Sequence, residues 1–499
     1  MAQAGDNDTP APPRRLRWTK CIIVAQLALI AALVISHMVW GIVADHRFAR
    51  ACAPFIAAGH NLDWRTNGPP DIPDAQNAAV IYKRAAAQLK LTPRQNAIVS
   101  YGPAEQSVQD RYAAEADALV AVNASVLALC RQGRGLKANW GISHANDMLS
   151  ITLPHLKQTR QLTRFLCVAA ARQTTHGQST QAIQTLLDMR ALALSTAQDS
   201  MLIGHYCTLA CTRLGDSTIE QIAPLLGAEA ISAPAALARQ PLMDSAKELL
   251  AALLNEDLKR SYQAAWPAEA AIVIDMIDSL LDSRHQGYWS SLGVGLPFVN
   301  IPWLFRPAFT VDKALLVEEY WRQRGEKPGK TSALLTLTMN LWGTALTAHW
   351  CVALLFMPSN ATVHDKAIAL DRLAAVRLAL RLYELERGTA ARTLEALVPE
   401  YLPAVPIDPM DPSGGPLRAV LDDPRPRIYS VGSNGNDDGG TEENQADEVM
   451  YLNPADRPQV DQSQTIAEIE AAAAQAGEAA SQEGPGASSH GLGEQTPPP

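Results

Sequence analysis

Residues 153–195 read LPHLKQTRQLTRFLCVAAARQTTHGQSTQAIQTLLDMRALALS and carry the clearest secondary-structure signal in the chain. Their apolar residues recur at helical spacing on both sides of a short polar stretch, namely Leu162, Phe165, Leu166 and Ala169 before it and Ile183, Leu186, Leu187 and Leu192 after it. A period near 3.6 residues is typical of amphipathic helices, and Gly177 within the polar stretch favours a turn. Residues 153–195 are therefore predicted to form a helical hairpin.

The sequence around this hairpin is also helical in character. The chain has 499 residues, is 47% hydrophobic and has only 6% aromatic side chains, a balance that suits helices packed through small residues. We predict a mainly α fold in which residues 44–360 form an α-helical hairpin or bundle domain. Its hairpin resembles tetratricopeptide-type building units, so the domain either offers a groove to a peptide or only spaces the two ends of the chain.

Two shorter stretches of this domain carry local signals. Asp74 follows a Pro/Gly-rich segment and is predicted to cap a helix, because Ala78, Tyr82 and Ala85 share one helical face. Residues 296–307, LPFVNIPWLFRP, contain three prolines and are predicted to form an irregular crossover, since proline disfavours helix interiors.

Residues 21–43 form an apolar run of 23 residues without Lys, Arg, Asp or Glu. A helix of this length crosses about 30 Å of hydrocarbon at ~1.5 Å per residue. Arg14, Arg15, Arg17 and Lys20 precede the run, so the positive-inside rule makes residues 1–20 a basic cytoplasmic tail. We predict a single transmembrane anchor in a bacterial inner membrane, with the bulk of the chain periplasmic. A cleaved signal peptide is the alternative, although the run is longer than a usual signal-peptide core.

Residues 331–364 form a second stretch that is long enough to cross a bilayer. Thr336, Asn340, Thr344 and Thr347 lie at i, i+4, i+8 and i+11, and they place a polar stripe on one helical face. Because a lipid-facing helix should be apolar all round, we favour a soluble helix over a second span at residues 332–357. The alternative would return the last third of the chain to the cytoplasm.

Composition and motifs argue against several classes of function. The formal net charge is −9, and basic residues do not cluster with aromatic ones, so nucleic acid is not expected as a partner. Residues 325–331, GEKPGKT, end like a phosphate-binding loop, but the glycine spacing is one residue short and no nucleotide site is expected. His205, Cys207 and Cys211 are interpreted as core side chains. No common hydrolase or metalloprotease motif occurs in the sequence, and no catalytic residue is assigned.

From residue 361 the pattern changes to that of a small α+β module. Apolar residues at i, i+4, i+7, i+11 and i+14 predict a helix that ends at Gly388, and they are Ala369, Leu373, Val376, Leu380 and Tyr383. Three strand candidates follow at residues 416–421, 427–431 and 448–452. The order predicts one helix and a three-stranded antiparallel sheet within residues 361–455.

Residues 365–453 also carry a series of short motifs: ALRLYELERG at the end of the helix, LEALVP at 394–399, PIDP at 406–409, IYSVG at 428–432 and GSNGNDDGGTEENQADEV at 432–449. In this order they closely resemble the globular part of the major pseudopilin of type II secretion systems. The resemblance implies that the acidic loop binds calcium and that the module continues an N-terminal filament helix. The chain departs from that family because residues 1–43 contain no prepilin-peptidase site and residues 44–364 separate the anchor from the module. As a whole, the layout resembles membrane-anchored bacterial proteins that carry a pseudopilin-like C-terminus.

The loop between residues 432 and 448 is rich in oxygen donors. It holds six carboxylates and no Lys or Arg, and such a cluster repels itself unless it is solvated or neutralised by a cation. Calcium accepts irregular coordination by ~6–8 oxygens more easily than magnesium does. The expected ligands of a structural calcium ion are Asp437, Asp438 and Asp447, together with Asn434 and Glu443. A solvated acidic turn is the alternative.

Residues 456–499 are rich in Ala, Gln, Glu, Ser and Gly and are predicted to be a disordered tail. The expected function is that of a non-enzymatic, membrane-tethered interaction or scaffold protein of the periplasmic side, with protein partners and a calcium-stapled C-terminal module. One alternative is an atypical component of a type II secretion or pilus-like assembly. Another is an enzyme with a site assembled in the helical domain, which a deep polar pocket lined by convergent acids would favour.

Overall fold

The computed structural model describes residues 14–64, 68–101, 110–142, 151–199, 201–227, 235–280, 302–323, 359–442 and 447–458, and six residues between 466 and 474. The helices are α1 (Arg14–Ala57), α2 (Ala78–Gln88), α3 (Pro93–Tyr101), α4 (Ala113–Val122), α5 (Ala124–Gly133), α6 (Pro154–Thr175), α7 (Ser179–Ser195), α8 (Leu202–Ile222), α9 (Ala235–Leu254), α10 (Asp257–Leu280), α11 (Pro302–Gln323) and α12 (Ser359–Arg387). The strands are β1 (Arg418–Val420), β2 (Arg427–Ser430) and β3 (Glu448–Tyr451). The predicted mainly α fold with a small antiparallel sheet is confirmed.

The chain divides into two compact units. Unit 1 consists of Met1–Asn67 and Ala270–Met357, and unit 2 consists of Gly68–Glu269 and Pro358–Pro499. The sequence predicted a boundary between residues 360 and 361, whereas unit 2 groups the C-terminal residues with Gly68–Glu269. The possible second span at residues 332–357 and the stretch at 325–331 lie outside the described residues.

In unit 1, helix α1 changes character along its length. Its segment Trp18–Ala57 is long and apolar enough to cross a membrane, and its most apolar window is fully exposed. From Trp40, which is 1% exposed, side chains such as Ala44 and Phe55 are buried. Helices α1 and α11 pack together in this region, and Arg47 donates to both carboxylate oxygens of Glu318 at 2.8 and 2.6 Å.

Helix α11 replaces part of the irregular crossover that was predicted at residues 296–307. The helix begins at Pro302 and contains Pro307. A proline at the first helical position costs nothing, because the N–H group that it lacks would have no partner there. The prediction over residues 302–307 was wrong. Pro302 is compatible with the first helical position, whereas Pro307 lies inside the helix and removes one backbone hydrogen bond there.

In unit 2, the predicted hairpin is confirmed as α6 and α7. The apolar residues that predicted it are buried, all but Ala169 belong to one core, and Gly177 takes φ 71° in the turn. The neighbouring helix α2 begins later than expected. Its N-cap is Asn77, whose side chain accepts a hydrogen bond from the N–H of Ala79, while Asp74 lies in a short 3-10 turn.

Helix α12 joins the helical core of unit 2 to the sheet. Leu373 and Val376 on α12 belong to the same core as Leu186 on α7 and as Ile428 and Met450 on the strands. Both strand pairs are antiparallel in the order β1-β2-β3, with Ile428 opposite Met450. The sheet therefore packs against the helices through α12.

Part of the predicted disordered tail is ordered. Ile469 is 0% exposed and packs with Ile98 and Tyr112, and Arg111 contacts Glu470 at 2.8 Å. Composition averaged over residues 456–499 hides Ile466 and Ile469, which lie three residues apart and share one helical face.

Candidate functional site

The acidic loop leaves β2 and returns at Asp447, just before β3. Gly435, Gly439 and Gly440 take positive φ angles of 68°, 76° and 73°, a conformation that costs glycine little. The predicted ligand Glu443 lies outside the described residues. The other four predicted ligands are described, and the loop places them in different environments.

Asp437 is neutralised by side chains from the sheet. Its carboxylate contacts the Nε atom of Arg418 at 2.9 Å and accepts a hydrogen bond from the hydroxyl of Tyr429 at 3.0 Å. Both partners come from outside the loop. Counting bases within the loop alone therefore missed the counter-charge of this carboxylate.

Asp438 and Asp447 are the two predicted ligands that the loop brings together. Asp447 is 3% exposed. Its Oδ2 atom accepts from the backbone N–H groups of Gly440 and Thr441 at 2.8 and 3.2 Å, and its Oδ1 atom has no hydrogen-bond partner. Burial, and to a lesser extent the charge of Asp438, raises the pKa of Asp447. A cation beside these two carboxylates would relieve both effects.

The rest of the predicted metal site is already engaged. The side-chain amide of Asn434 donates to Asp438 at 2.7 Å. Arg427 binds the carbonyl oxygens of Gly440 and Gly439 at 2.9 and 2.8 Å. Across the described ranges, no three His, Cys, Asp or Glu side chains are grouped as a metal site. The described residues thus fit a cation only through Asp438 and Asp447.

The PIDP motif has a structural role in the described region. Asp408 is buried, and it accepts hydrogen bonds from the hydroxyl of Ser430 at 2.8 Å, the N–H of Val431 at 2.9 Å and the N–H of Met410 at 2.9 Å. These bonds fix the end of β2 to the loop before β1. A buried carboxylate with several N–H and O–H donors is a strong local restraint.

Unit 2 contains a polar cavity of about 580 Å³ between α8, α12 and β3. Four lining residues lie on one face of α8, at i, i+3, i+4 and i+7, namely Arg213, Asp216, Ser217 and Glu220. The remaining lining residues are Lys366 and Leu370 from α12, and Glu442, Asp447, Glu448, Val449, Met450 and Arg457 from the C-terminal segment. The sequence analysis did not identify this cavity, although the polar face of α8 was a signal for it.

Glu220 and Arg457 cover the free edge of β3. Glu220 accepts from the N–H of Tyr451 at 2.9 Å, and Arg457 donates to the carbonyl of Val449 at 3.0 Å. The two side chains contact each other at 3.3 Å. Burial raises the pKa of Glu220. Together they satisfy backbone groups that would be left open at a sheet edge.

Asp216 lies at the buried side of the cavity. It is 3% exposed, and its Oδ2 atom has no hydrogen-bond partner. Burial, followed by the charge of the neighbouring Asp371, raises the pKa of Asp216 well above its ordinary value. Asp371 itself binds both terminal nitrogens of Arg190 at 3.0 and 2.6 Å.

The cavity therefore presents acids and bases side by side, and most of them are paired with one another. Nine of its twelve lining residues are polar or charged. Comparison of the chain with family models, with curated proteins and with solved structures finds no match.

Proposed function

We propose that the protein is a membrane-tethered, non-enzymatic interaction protein whose bulk lies on the periplasmic side of a bacterial inner membrane. The observation that carries this proposal is the change in exposure along α1. Side chains from Trp18 to Val39 are largely apolar and, except for the half-buried His37, exposed, whereas residues classed as buried begin at Trp40. These 22 residues would span about 33 Å as a helix, which matches the hydrocarbon thickness of a bilayer.

The direction of insertion follows from charge. Arg14, Arg15, Arg17 and Lys20 lie at one end of the exposed segment, within 1–20, and the positive-inside rule favours the cytoplasm for that end. The part of unit 1 after the membrane segment and all of unit 2 then follow on the other side. This orientation is part of the proposal and rests on the sequence.

The choice of binding over catalysis rests on how the polar groups of unit 2 are used. Glu220 and Arg457 hold the edge of β3, and Lys366 pairs with Glu448. Asp408 holds the end of β2. These ionisable groups fix the sheet to the helices, as expected of a scaffold that presents a surface to protein partners.

Calcium at the acidic loop is a further part of the proposal. Asp438 and Asp447 would hold the ion, and the orphaned Oδ1 atom of Asp447 supports this assignment. A bound divalent cation would neutralise the two carboxylates and stabilise the folded loop. The resemblance to the pseudopilin module supports the same assignment.

The calcium assignment can be tested by thermal unfolding of the full chain in detergent, with calcium or with a chelator. A ligand that binds only the folded state must raise the melting temperature. We expect calcium to stabilise the wild type and the Asp422→Asn variant, whose exposed acid lies outside the loop, but not Asp447→Asn. Equal melting temperatures in calcium and chelator would contradict the calcium assignment and leave the tether untouched.

The tether and the partners can be tested by membrane fractionation with cross-linking. We expect the chain to resist alkaline carbonate extraction and to cross-link to periplasmic proteins. Release by carbonate would contradict the tether. Cross-links dominated by a secretion ATPase or platform protein would replace the scaffold proposal with a role in a secretion assembly.

A further inference from the structure

Helices α1 and α11 of unit 1 run side by side in the same direction. A Cβ atom added at Gly41 of α1 would lie 3.7 Å from the Cγ atom of Pro307 on α11. Further along both helices, the Nζ atom of Lys313 lies 5.2 Å from the ring centroid of Phe48. Because each helix advances by about 10 Å between these two contacts, a position on α11 can be assigned to a level on α1.

The first turn of α11 lies at the level of the exposed segment of α1. The helix begins at Pro302, and the chain from there to Pro307 advances by about 7.5 Å. The turn therefore reaches from the level of Gly41 back to the last turn of the segment Trp18–Val39. The exposure of α1 agrees with this level, because His37 is half-buried whereas its neighbours on both sides are exposed.

The residues of this turn are of the types that occur where a bilayer meets water. Residues 302–305 read PWLF, and the exposed Arg306 follows them. Aromatic residues, Trp above all, are enriched at the headgroup level of membranes, and a long cationic side chain there can extend to the polar headgroups. The turn thus combines apolar residues with a cation at the depth where α1 leaves the hydrocarbon.

We propose that the first turn of α11 docks into the periplasmic leaflet of the same bilayer and gives unit 1 a second membrane contact. The inference rests on the proposed tether, because the level of the bilayer is taken from α1. The turn enters the hydrocarbon by about 5 Å, a depth typical of interfacial helices, and Arg306 reaches the lipid phosphates. Two adjacent contacts restrict the tilt of unit 1 on the membrane surface.

A lipid surface fits this turn better than a protein partner. At the same level, α1 exposes the apolar side chains of Ile35, Met38 and Val39, which are 60%, 62% and 45% accessible. A bilayer covers these side chains and the turn of α11 together, whereas a protein partner would have to enter the bilayer to do so. The competing account is internal packing, in which the turn only covers His37 and does not meet lipid.

The test uses the wild-type full chain in vesicles of phosphatidylethanolamine and phosphatidylglycerol, with a carbene photoreagent dissolved in the hydrocarbon. Peptide mapping after irradiation identifies the residues that the reagent reaches. We expect label in Trp18–Val39 and within residues 302–306. The internal control is Ile56, which is 60% exposed on α1. It lies about 22 Å beyond Gly41 and should carry about tenfold less label.

The label map separates this inference from the tether. Label in Trp18–Val39 but none within residues 302–306 would overturn the second contact alone and leave the turn as a protein contact of α1. An unlabelled Trp18–Val39 segment would remove the tether, and the second contact with it. Equal label within residues 302–306 and at Ile56 would also overturn the second contact, because the turn would then meet lipid no more than a residue outside the bilayer does.

A pair of variants tests insertion of the turn directly. Trp303→Asp/Phe305→Asp should lower the label within residues 302–306 by about fivefold or more, because carboxylates are costly in hydrocarbon. The matched control, Trp303→Leu/Phe305→Leu, also removes both aromatic rings but should keep the label. Equal label in the two double variants would contradict insertion. If the melting temperature of the Asp variant falls below that of the Leu variant, the wild-type map decides.

Discussion

Two buried histidines make the stability of unit 2 depend on pH. His205 on α8 is 0% exposed and His364 on α12 is 5% exposed. Their ring centroids are 5.4 Å apart, and the ring of His364 stacks on Tyr262 at 4.3 Å. Burial, and then the neighbouring His364, lowers the pKa of His205 to about 3. Burial, and then Lys259, lowers the pKa of His364 to about 4.

The sign of the effect follows from where the protons bind. Both pKa values in the folded state lie below the ordinary value of 6.5, so the unfolded chain takes up protons that the folded chain refuses. Stability is therefore complete above about pH 6.5 and falls as the pH drops toward 4. At about pH 5 each histidine costs on the order of 2 kcal/mol, and the pair costs about 4 kcal/mol.

The measurement is urea unfolding at about pH 7.5 and about pH 5. Buried acids with raised pKa values, such as Asp216 and Glu220, change stability in the opposite direction. The pH dependence of wild-type stability alone therefore does not isolate the contribution of the two histidines. The difference between wild type and the His205→Gln/His364→Gln double variant isolates the two histidines. His46→Gln, a change of an exposed histidine on α1, serves as the control.

We expect the wild type to lose about 4 kcal/mol more than the double variant between these two pH values, and His46→Gln to behave as the wild type. Parallel losses in the wild type and the double variant would refute the reasoning. Such a result would mean that His205 and His364 take up protons in the folded protein as readily as in the unfolded chain.

Three further predictions concern stability. Asp408→Ala should destabilise unit 2 by about 3 kcal/mol or more, because it leaves the donor groups of Met410, Ser430 and Val431 without their acceptor. Urea unfolding measures this loss, and Asp422→Ala is the surface control. Gly204→Ala should destabilise unit 2 by about 1–3 kcal/mol, although alanine has the better helix propensity, because the new Cβ atom would collide with the backbone carbonyl of Thr196. An unchanged melting temperature would contradict the close approach of these two residues. Ile469→Ala should release the segment around residue 469 from Ile98 and Tyr112, at a local cost of about 2 kcal/mol. Faster amide exchange confined to this segment and its contacts is the expected readout.

The parts of the fold that sequence predicted are those in which one local pattern dominates. The hairpin of α6 and α7, the end of α12 before Gly388 and the three strands each follow from apolar period and turn residues within a few positions. The sequence predicted Asp74 as the cap of α2, whereas the structure has Asn77. Both residue types are good helix caps, and the choice between them depends on packing.

The candidate sites could be predicted only in part, because their partners are distant in sequence. The acidic loop was recognisable from composition, but its counter-charges Arg418 and Arg457 come from β1 and from the segment after β3. The cavity joins α8 to β3, more than 200 residues later. A helical face that carries Arg213, Asp216 and Glu220 indicates a polar surface, yet nothing in the sequence shows which strand will cover it.

The central claim is that one N-terminal helix holds the chain in the membrane while the rest lies outside the cytoplasm. Reporter fusions after residue 474 test it most directly, since this fusion point lies beyond every residue that the structure describes. The account predicts that a phosphatase that folds only in the periplasm is active when it is fused at this point. A fluorescent protein that folds only in the cytosol should be dark in the same position. A dark phosphatase with a bright fluorescent fusion would contradict it.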